Sequence, residues 1–412
     1  MRNDLNFMRP ALRLARRGYG TTSPNPMVGA VLVKNGKIIG RGWHRRAGGP
    51  HAEIEALRDA HKHGHKHKGA TLYVTLEPCC THGRTPPCTD AIIAAGIKRV
   101  IIGATDPNPK HAGRAFKILR RAGITVEEFG VSRSRGKNNA PSPSRLKAGL
   151  QTKFAAECTR LNEAFNRWIV HRTPSVTVKA AMTLDGKIAT ASGESKWITG
   201  EKARAHGVNL RQGADAILVG INTILADNPS LTVRTKMEDG RWKMGKPIRR
   251  IILDSMARTP LTANVVSDKH AAWTTIVVSK SAPKNRLAEL AKRANVIVAP
   301  LRKSVIRNSQ SHIDLCWLLE KLGAENVTSL LVEGGGEVNA SFLLGGFAQR
   351  VAFFYAPKIL GGRDARKAVA GEGARNLAEA IQLRDVEWTR LGPDWLLTAR
   401  IGAPISDPAH QK

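Results

Sequence analysis

Long apolar runs and a disulfide framework are both missing from this 412-residue chain. No stretch approaches the ~20 consecutive apolar residues that a membrane-spanning helix needs, and the first residues contain no apolar signal core. The five cysteines are an odd number, and Cys79 and Cys80 are adjacent, which favours thiolate ligands in a reducing compartment over disulfides. These absences predict a cytoplasmic protein with no membrane segment.

Acidic and aromatic residues are also scarce. The 33 Asp and Glu residues face 65 Lys and Arg residues, so the formal net charge is +32 at pH 7. Such a charge raises nucleic acid as a partner, because basic side chains neutralise phosphates without any motif. The charge is spread along the whole chain, however, and aromatic residues are only 5% of it, which leaves few platforms for stacking bases. We therefore predict a solvated basic surface and no nucleic-acid partner.

The first part of the chain, residues 1–130, alternates strands with helices. Its Arg-rich start reads as a helix, and strands at 28–33 and 37–42 flank an Asn35-Gly36 turn suited to a type I′ hairpin. Helices that begin near residues 51, 89 and 114 then alternate with strands at 71–76, 99–103 and 124–129. This alternation predicts a three-layer α/β/α domain.

Residues 131–153 break the alternation. They are rich in Ser, Pro, Gly and Asn, with six basic residues and no acidic one, which predicts a flexible linker. A short helix at 155–168 and a second α/β series follow, so a second domain is predicted over 154–405. Its predicted strands lie at 175–180, 216–219, 250–253, 275–278, 296–299, 329–332, 350–355 and 395–401.

Four residues of the first domain form a candidate zinc site. His51 opens a helix, and Cys79 and Cys88 lie between a strand and the next helix. One imidazole and two thiolates leave the fourth zinc position to water, and Glu53 is placed to move that water's proton. Nucleobase deaminases use this arrangement. Cys80 and His82 are competing ligands, whereas the alternating histidines at 61, 63, 65 and 67 are better read as a solvated loop.

Motifs in both halves resemble one family, the bifunctional riboflavin-biosynthesis deaminase/reductase. Eight residues separate Cys79 from Cys88, which is that family's spacing, whereas most nucleobase deaminases have two. The matching segments are residues 24–29, 51–53, 75–79, 83–88, 106–109, 179–187, 193–199, 222–229 and 332–336.

The resemblance implies two activities and two folds. A cytidine-deaminase-like domain would use Zn²⁺ to deaminate 2,5-diamino-6-ribosylamino-4(3H)-pyrimidinone 5′-phosphate. A dihydrofolate-reductase-like domain would then use NADPH to reduce the ribosyl to the ribityl chain. Matched motifs place the NADPH contacts at Ala181, Trp197, Thr223, Asp227, Ser255, Gly335 and Gly336. They place the substrate contacts at Lys179, Ser195, Arg211, Leu231, Arg234 and Glu333.

Simpler interpretations stay open for some of these residues. Arg211 ends a predicted helix, where a cation is favourable without any ligand, and Trp197 suits a core or rim aromatic as well as it suits a cofactor contact. The small-molecule substrate needs no partner chain, and a homo-oligomer is compatible with the sequence. The alternative function is a zinc deaminase acting on a base in RNA, with the second half as a binding module.

One position departs from the family pattern. After the first zinc cysteine the family usually has Ser and then His, whereas this chain has Cys80 and Thr81. Thr81 cannot supply an imidazole. His82 is the neighbouring residue that could substitute for it.

Overall fold

The computed structural model of the chain describes residues 4–82, 86–129, 144–236, 242–302 and 312–402. Its contacts divide into two compact units, Met1–Arg172 and Thr173–Lys412. Within the described ranges, every helix is too short or too polar to cross a membrane. Residues 83–85 of the second cysteine motif, 131–143 of the predicted linker and 403–405 of the predicted second domain lie outside these ranges.

The first unit is a five-stranded sheet with helices on both faces. The strands follow the order β2-β1-β3-β4-β5, antiparallel through β2, β1 and β3 and parallel from β3 to β5. The strands are β1 Gly29–Lys34, β2 Lys37–Trp43, β3 Thr71–Val74, β4 Arg99–Ile102 and β5 Thr125–Glu128. The helices are α1 Asp4–Ala15, α2 Ala52–Lys62, α3 Cys88–Ala94, α4 Arg114–Arg121, α5 Ser144–Leu161 and α6 Glu163–His171.

Each face of this sheet has its own apolar core. Alternate residues of β1 point to opposite faces, so Leu32 packs with the helices α2, α3 and α4, while Val31 packs with α1. The predicted three-layer arrangement is therefore confirmed. The predicted hairpin is confirmed as well, since Asn35 and Gly36 both have positive φ angles, 49° and 73°.

Glycine lets α2 lie close to the sheet. A Cβ atom on Gly42 would come within 2.2 Å of the Ala52 carbonyl oxygen, and one on Gly40 within 2.3 Å of the Ala56 carbonyl oxygen. Larger side chains at these strand positions would push the helix away. The close approach fixes the start of α2, where His51 and Glu53 lie.

The predicted linker and the start of the predicted second domain differ from the structure. Residues 144–153 are helical, and α5 and α6 belong to the first unit, whose boundary follows Arg172 rather than residue 153. Cys158 of α5 is fully buried with Leu12, Leu76 and Ala104, because these apolar groups need a cover that residues 1–130 do not supply. The few apolar residues of α5 gave too weak a period to show this from the sequence.

The second unit is built on a nine-stranded sheet, in the order β13-β12-β11-β8-β16-β6-β17-β20-β19. Its main strands are β6 Ser175–Thr183, β8 Ala216–Gly220, β11 Arg249–Leu253, β12 Thr274–Val278, β13 Asn295–Val298, β16 Ser329–Val332, β17 Arg350–Ala356, β19 Leu383–Leu391 and β20 Asp394–Ile401. Short strands are β7 Lys187–Ala189, β9 Arg234–Lys236, β10 Trp242–Met244, β14 Leu301–Arg302, β15 His312–Ile313 and β18 Arg366–Lys367. The helices are α7 Glu201–Gly213, α8 Ile221–Asp227, α9 Asn264–Ser267, α10 Lys284–Ala291, α11 Leu315–Ala324 and α12 Gly336–Leu344.

The strand order places several motifs at one edge of this sheet. The strand β16 pairs in parallel with β8 on one side and with β6 on the other. It therefore lies between these two strands, although it comes last of the three in sequence. Ligands of open α/β sheets bind beside the carboxyl ends of strands where the order reverses in this way. Segments that follow β8, β11 and β16 therefore meet at a favourable position for a binding site.

Candidate active sites

The three predicted zinc ligands lie together in the first unit. Their ligand atoms are all within 4.8 Å of one another. The His51 Nδ1 atom is 3.3 Å from the Cys88 Sγ atom and 3.4 Å from the Cys79 Sγ atom. His51 immediately precedes α2, Cys88 is the first residue of α3, and Cys79 lies in the segment after β3.

This donor set fits zinc. Two thiol sulfurs and one imidazole nitrogen are ligands that zinc prefers, and three protein ligands leave a fourth position for water. The Cys88 backbone N–H donates to the Cys79 sulfur at 3.3 Å. The pKa of the Cys79 thiol is lowered because the Cys88 thiol, the His51 ring and that N–H all hydrogen-bond to its sulfur. A thiolate is therefore favoured at Cys79, as metal binding requires.

Glu53 is buried beside the triad. It lies in the first turn of α2, and only 3% of it is exposed. Burial raises the pKa of Glu53 to about 7, although the nearby His51 opposes part of this effect. A carboxyl group with a pKa near neutrality can both accept and return a proton, which is the property that general acid–base catalysis needs.

His44 orders the chain just before His51, a role that the sequence did not reveal. His44 is 2% exposed, and its ring lies edge-on to the His51 ring at 5.3 Å. Its Nδ1 donates to the Pro50 carbonyl oxygen at 2.9 Å, so its Nε2 accepts from the Asn25 amide nitrogen at 3.1 Å. Burial lowers the pKa of His44, which favours the neutral ring that these bonds require. The signal in the sequence was the Pro24-Asn25-Pro26 motif.

Glu77 orders a second loop near the triad. Its carboxylate accepts hydrogen bonds from the backbone N–H groups of Asp106, Gly113 and Ala115, at 3.1, 2.9 and 3.0 Å. Glu77 is 4% exposed, so these three bonds satisfy a buried charge. Glu77 therefore holds this loop in place.

The loop after Cys79 lies against His111. The Cys80 sulfur is 3.5 Å from the His111 Nδ1 atom, and the Thr81 hydroxyl is 3.5 Å from its Nε2 atom. His82, the residue proposed to replace a missing imidazole, is exposed instead. Nothing in the sequence linked His111 to this loop.

A group of ion pairs lies at the carboxyl end of β16 in the second unit. Arg211 of α7 forms a bidentate pair with Glu333 through its Nε and Nη2 atoms, at 2.9 and 2.8 Å. The Lys179 Nζ atom of β6 is 3.7 Å from the same carboxylate. Although burial opposes it, the attraction of Arg211 and Lys179 holds the pKa of Glu333 at about 2. Three of the predicted substrate contacts, Lys179, Arg211 and Glu333, therefore lie together. Arg211 forms a specific ion pair in addition to lying at the end of a helix.

Two of the other predicted substrate contacts lie on a segment beside this group. The Arg211 Nη1 atom donates to the Thr232 carbonyl oxygen at 3.3 Å, which places the segment of Leu231 and Arg234 beside it. Leu231 is 3% exposed, whereas Arg234 is exposed and bonds the Thr232 hydroxyl through Nε. The Ser195 hydroxyl donates to Asp227, a predicted cofactor contact, at 3.3 Å.

Several of the predicted cofactor contacts lie near the carboxyl ends of strands or in the segments that follow them. Ala181 lies on β6, Thr223 on α8 and Ser255 just after β11. Trp197 is 65% exposed, which excludes a core role, and the Arg204 guanidinium lies 4.6 Å above its ring. An exposed indole at a rim is available to stack on a planar ligand.

The glycine turn before α12 contains two different kinds of glycine. A Cβ atom on Gly336 would lie 2.3 Å from the Lys367 carbonyl oxygen, so packing requires glycine there. Gly335, which precedes the helix, has an ordinary φ of −70° and open space around its missing Cβ. Neither packing nor backbone geometry explains glycine at this position. A ligand that approaches the backbone at the helix start would explain it.

Comparison with known proteins assigns a class to each half. Residues 1–104 match the family model of the cytidine and deoxycytidylate deaminase zinc-binding region, and residues 174–397 match that of the RibD C-terminal domain. The chain is therefore a zinc-dependent deaminase of the cytidine-deaminase-like fold joined to a reductase of the dihydrofolate-reductase-like fold.

Relatives extend over almost the whole chain. Riboflavin biosynthesis protein RibD of Actinobacillus pleuropneumoniae is 41% identical over 403 residues, which are 98% of this chain and 96% of that protein. The chain belongs to the RibD family, whose members carry a deaminase and an NADPH-dependent reductase of riboflavin biosynthesis. The RibD of Escherichia coli K12 is 38% identical over 398 residues, covering 95% and 97% of the two chains.

Solved structures agree along the same length. Acinetobacter baumannii RibD, form 1, superposes with a TM-score of 0.78 at 32% identity and covers 98% of this chain and 99% of its own. A Thermotoga maritima protein described as a diaminohydroxyphosphoribosylaminopyrimidine deaminase/5-amino-6-(5-phosphoribosylamino)uracil reductase has a TM-score of 0.72 at 33% identity, with 97% and 99% coverage. These full-length relatives do not favour the alternative of a deaminase acting on RNA.

Proposed function

We propose that the first unit deaminates 2,5-diamino-6-ribosylamino-4(3H)-pyrimidinone 5′-phosphate and that the second reduces the ribosyl chain of the product with NADPH. The observation that carries the proposal is the cluster of His51, Cys79 and Cys88 with the buried Glu53 beside it. The two activities of the similar Thermotoga maritima protein supply the substrate class.

In the deaminase site each residue has a distinct task. His51, Cys79 and Cys88 would hold zinc, which supplies a Lewis acid that lowers the pKa of a water molecule. Glu53 would accept the proton of the attacking water and return it to the departing ammonia. Its position in the buried first turn of α2 keeps the carboxyl group itself away from bulk water. His44 and Asn25 hold the segment before His51, and so act as positioning residues.

In the reductase site the protein binds and orients two ligands. NADPH supplies the hydride when bound. Gly335 and Gly336 would offer the backbone at the start of α12 to its phosphates, with Ala181, Trp197, Thr223, Asp227 and Ser255 as further contacts. Lys179, Ser195, Arg211, Leu231, Arg234 and Glu333 would bind the phosphoribosyl substrate. The exposed Arg234 is suited to pair with its phosphate, whereas the Arg211 guanidinium is already bonded to Glu333 and the Thr232 carbonyl oxygen and would hold that carboxylate in place.

A single substitution tests the two-site assignment. We expect Glu53→Gln to lower the rate of ammonia release about 10²- to 10⁴-fold, since the amide cannot carry the proton. Zinc content and reduction of the separately prepared deaminated intermediate should stay at the wild-type level. Glu55→Gln is the matched control, because Glu55 lies on the same helix and forms ion pairs with the exposed Arg45 and Arg58. Loss of both activities in a folded Glu53→Gln protein would refute the assignment.

Two broader expectations accompany the proposal. A cytoplasmic location follows from thiolate ligands that need a reducing compartment, and fractionation of cells with an antibody would test it. A homo-oligomer stays a prediction. Size-exclusion chromatography with light scattering would measure it.

A further inference from the structure

His111 lies where two loops of the first unit meet. The strands β3 and β4 are parallel neighbours, so their carboxyl ends lie at the same edge of the sheet. The segment after β3 contains Cys79, Cys80 and Thr81, and the segment after β4 contains His111. The imidazole of His111 therefore stands beside the loop that supplies the first cysteine of the zinc triad.

The backbone of His111 is fixed from both sides. Its N–H donates to the Asn108 carbonyl oxygen at 2.8 Å, and its carbonyl oxygen accepts from the Arg114 N–H at 2.6 Å. The Glu77 carboxylate holds Asp106 before it and Gly113 after it. A ring on such a backbone is already placed, so a ligand would not have to order it.

The ring itself keeps capacity for a ligand. Its two contacts, to the Cys80 sulfur and the Thr81 hydroxyl, are both 3.5 Å long. The Thr81 contact is longer than the 2.7–3.2 Å of an ordinary N–H···O bond. His111 is only partly buried, and Lys110 and Arg114 flank it in sequence, while the Asp106 carboxyl group interacts with it electrostatically. The exposed Lys110 and Arg114 suit a substrate that carries a phosphate.

We propose that His111 is a binding residue of the deaminase site and supplies the imidazole that Thr81 lacks. The proposal rests on the deaminase function proposed above. It assigns the substrate contact to a residue 30 positions from Thr81 in sequence. His82, whose side chain is exposed, then has no part in that contact. Cys80 and Thr81 are then the small side chains that leave room for the His111 ring.

The test compares His111→Ala with His82→Ala in the full-length protein. Each variant is assayed for KM and kcat of ammonia release, for zinc content, and by circular dichroism melting as a control of folding. Reduction of the deaminated intermediate checks that the second unit is unaffected. We expect His111→Ala to raise KM for the diaminopyrimidine nucleotide about tenfold, the effect of losing one hydrogen bond of about 1.4 kcal/mol, with kcat within about twofold of wild type. His82→Ala should match wild type.

A second substitution separates binding from structure. Adding Thr81→His to His111→Ala should recover most of the lost KM, because the imidazole returns to the same loop; a purely structural role of His111 would not be rescued this way. An unchanged KM in His111→Ala, a loss of zinc, or an equal defect in His82→Ala would overturn the proposal. Absence of ammonia release in the wild-type protein would instead refute the deaminase function itself.

Discussion

The Glu333 carboxylate has two cationic partners and is almost fully enclosed. Its side chain is 9% exposed, and Arg211 and Lys179 both lie within ion-pair distance. One negative charge therefore faces two positive charges in a partly dry environment, where charges interact more strongly than in water. The surplus positive charge favours an anionic or electron-rich group of a substrate. The Arg211 guanidinium is held by its two bonds to Glu333. The Lys179 Nζ atom, 3.7 Å from the same carboxylate, is the less restrained of the two cations.

Removing Arg211 should damage the second unit alone. Arg211→Ala leaves the buried Glu333 with a single cation, so we expect the free energy of unfolding of that unit to fall by about 3 kcal/mol and reduction to be largely lost. Arg234→Ala is the matched control, since the exposed Arg234 should affect only substrate KM. Urea unfolding and separate assays of the two activities measure these effects. Deaminase activity that fell in parallel with reductase activity would contradict the separation of the sites.

The loss of stability in Arg211→Ala should depend on pH, and the pKa of Glu333 gives the direction of that dependence. Because pairing lowers the folded pKa of Glu333 to about 2, its contribution to stability is complete above its ordinary pKa and disappears as the pH falls towards 2. Urea unfolding at pH 7 and at pH 3 should therefore show a smaller gap between wild type and Arg211→Ala at pH 3. A gap that widened in acid would mean that the pair does not hold the carboxylate ionised.

At the scale of elements, two neighbouring glycines at the start of α12 have different roles: Gly336 is needed for packing, and Gly335 is a candidate for ligand binding. Gly336→Ala would force a Cβ against the Lys367 carbonyl oxygen, 2.3 Å away, and should lower the thermal midpoint of the second unit. Gly335→Ala meets nothing within 4 Å, so it should fold normally. If the backbone here receives the NADPH phosphates, Gly335→Ala should raise KM for NADPH several-fold and leave stability unchanged. A normal KM for NADPH in Gly335→Ala would remove this turn from the cofactor site.

Elements with a strong local pattern were predictable from the sequence. The buried strands β8, β11, β12 and β16 are short apolar runs between polar segments, and each lies within a residue or two of its predicted range. The strand β19 was not predicted. Eight of its nine residues are exposed, so Leu383–Leu391 has no alternating apolar face, and only pairing with β20 makes it a strand.

Some residues of the candidate sites could likewise be predicted from the sequence, and others could not. His51, Glu53, Cys79 and Cys88 were predictable because ligand chemistry limits which residues can hold zinc and where they lie relative to helix starts. His44 and His111 were not, since nothing local distinguishes a histidine that bonds a carbonyl from one on a solvated loop. Their roles depend on contacts between segments far apart in sequence. The pair of Arg211 and Glu333, 122 residues apart, became visible as a pair only in the fold.

At the scale of the whole molecule, the position of the boundary decides which fragment carries deaminase activity. Residues 1–172 include α5 and α6, and Asn162 at their junction both accepts from and donates to the Met27 backbone, at 2.8 and 3.0 Å. Met27 follows Asn25, which bonds His44 beside the zinc triad. The helices that the sequence assigned to a linker and a second domain therefore support the deaminase loop.

Cutting the chain at two positions tests this boundary. A fragment of residues 1–172 should fold, bind zinc and release ammonia, because it keeps the cover over Leu12, Leu76 and Ala104 together with the Asn162 bonds. A fragment of residues 1–130 exposes those apolar groups, each worth roughly 1–3 kcal/mol when buried, and should be much less stable. Circular dichroism melting, zinc content and ammonia release compare the two. Equal stability and activity in both fragments would place the boundary near residue 130 and make α5 and α6 dispensable for the deaminase.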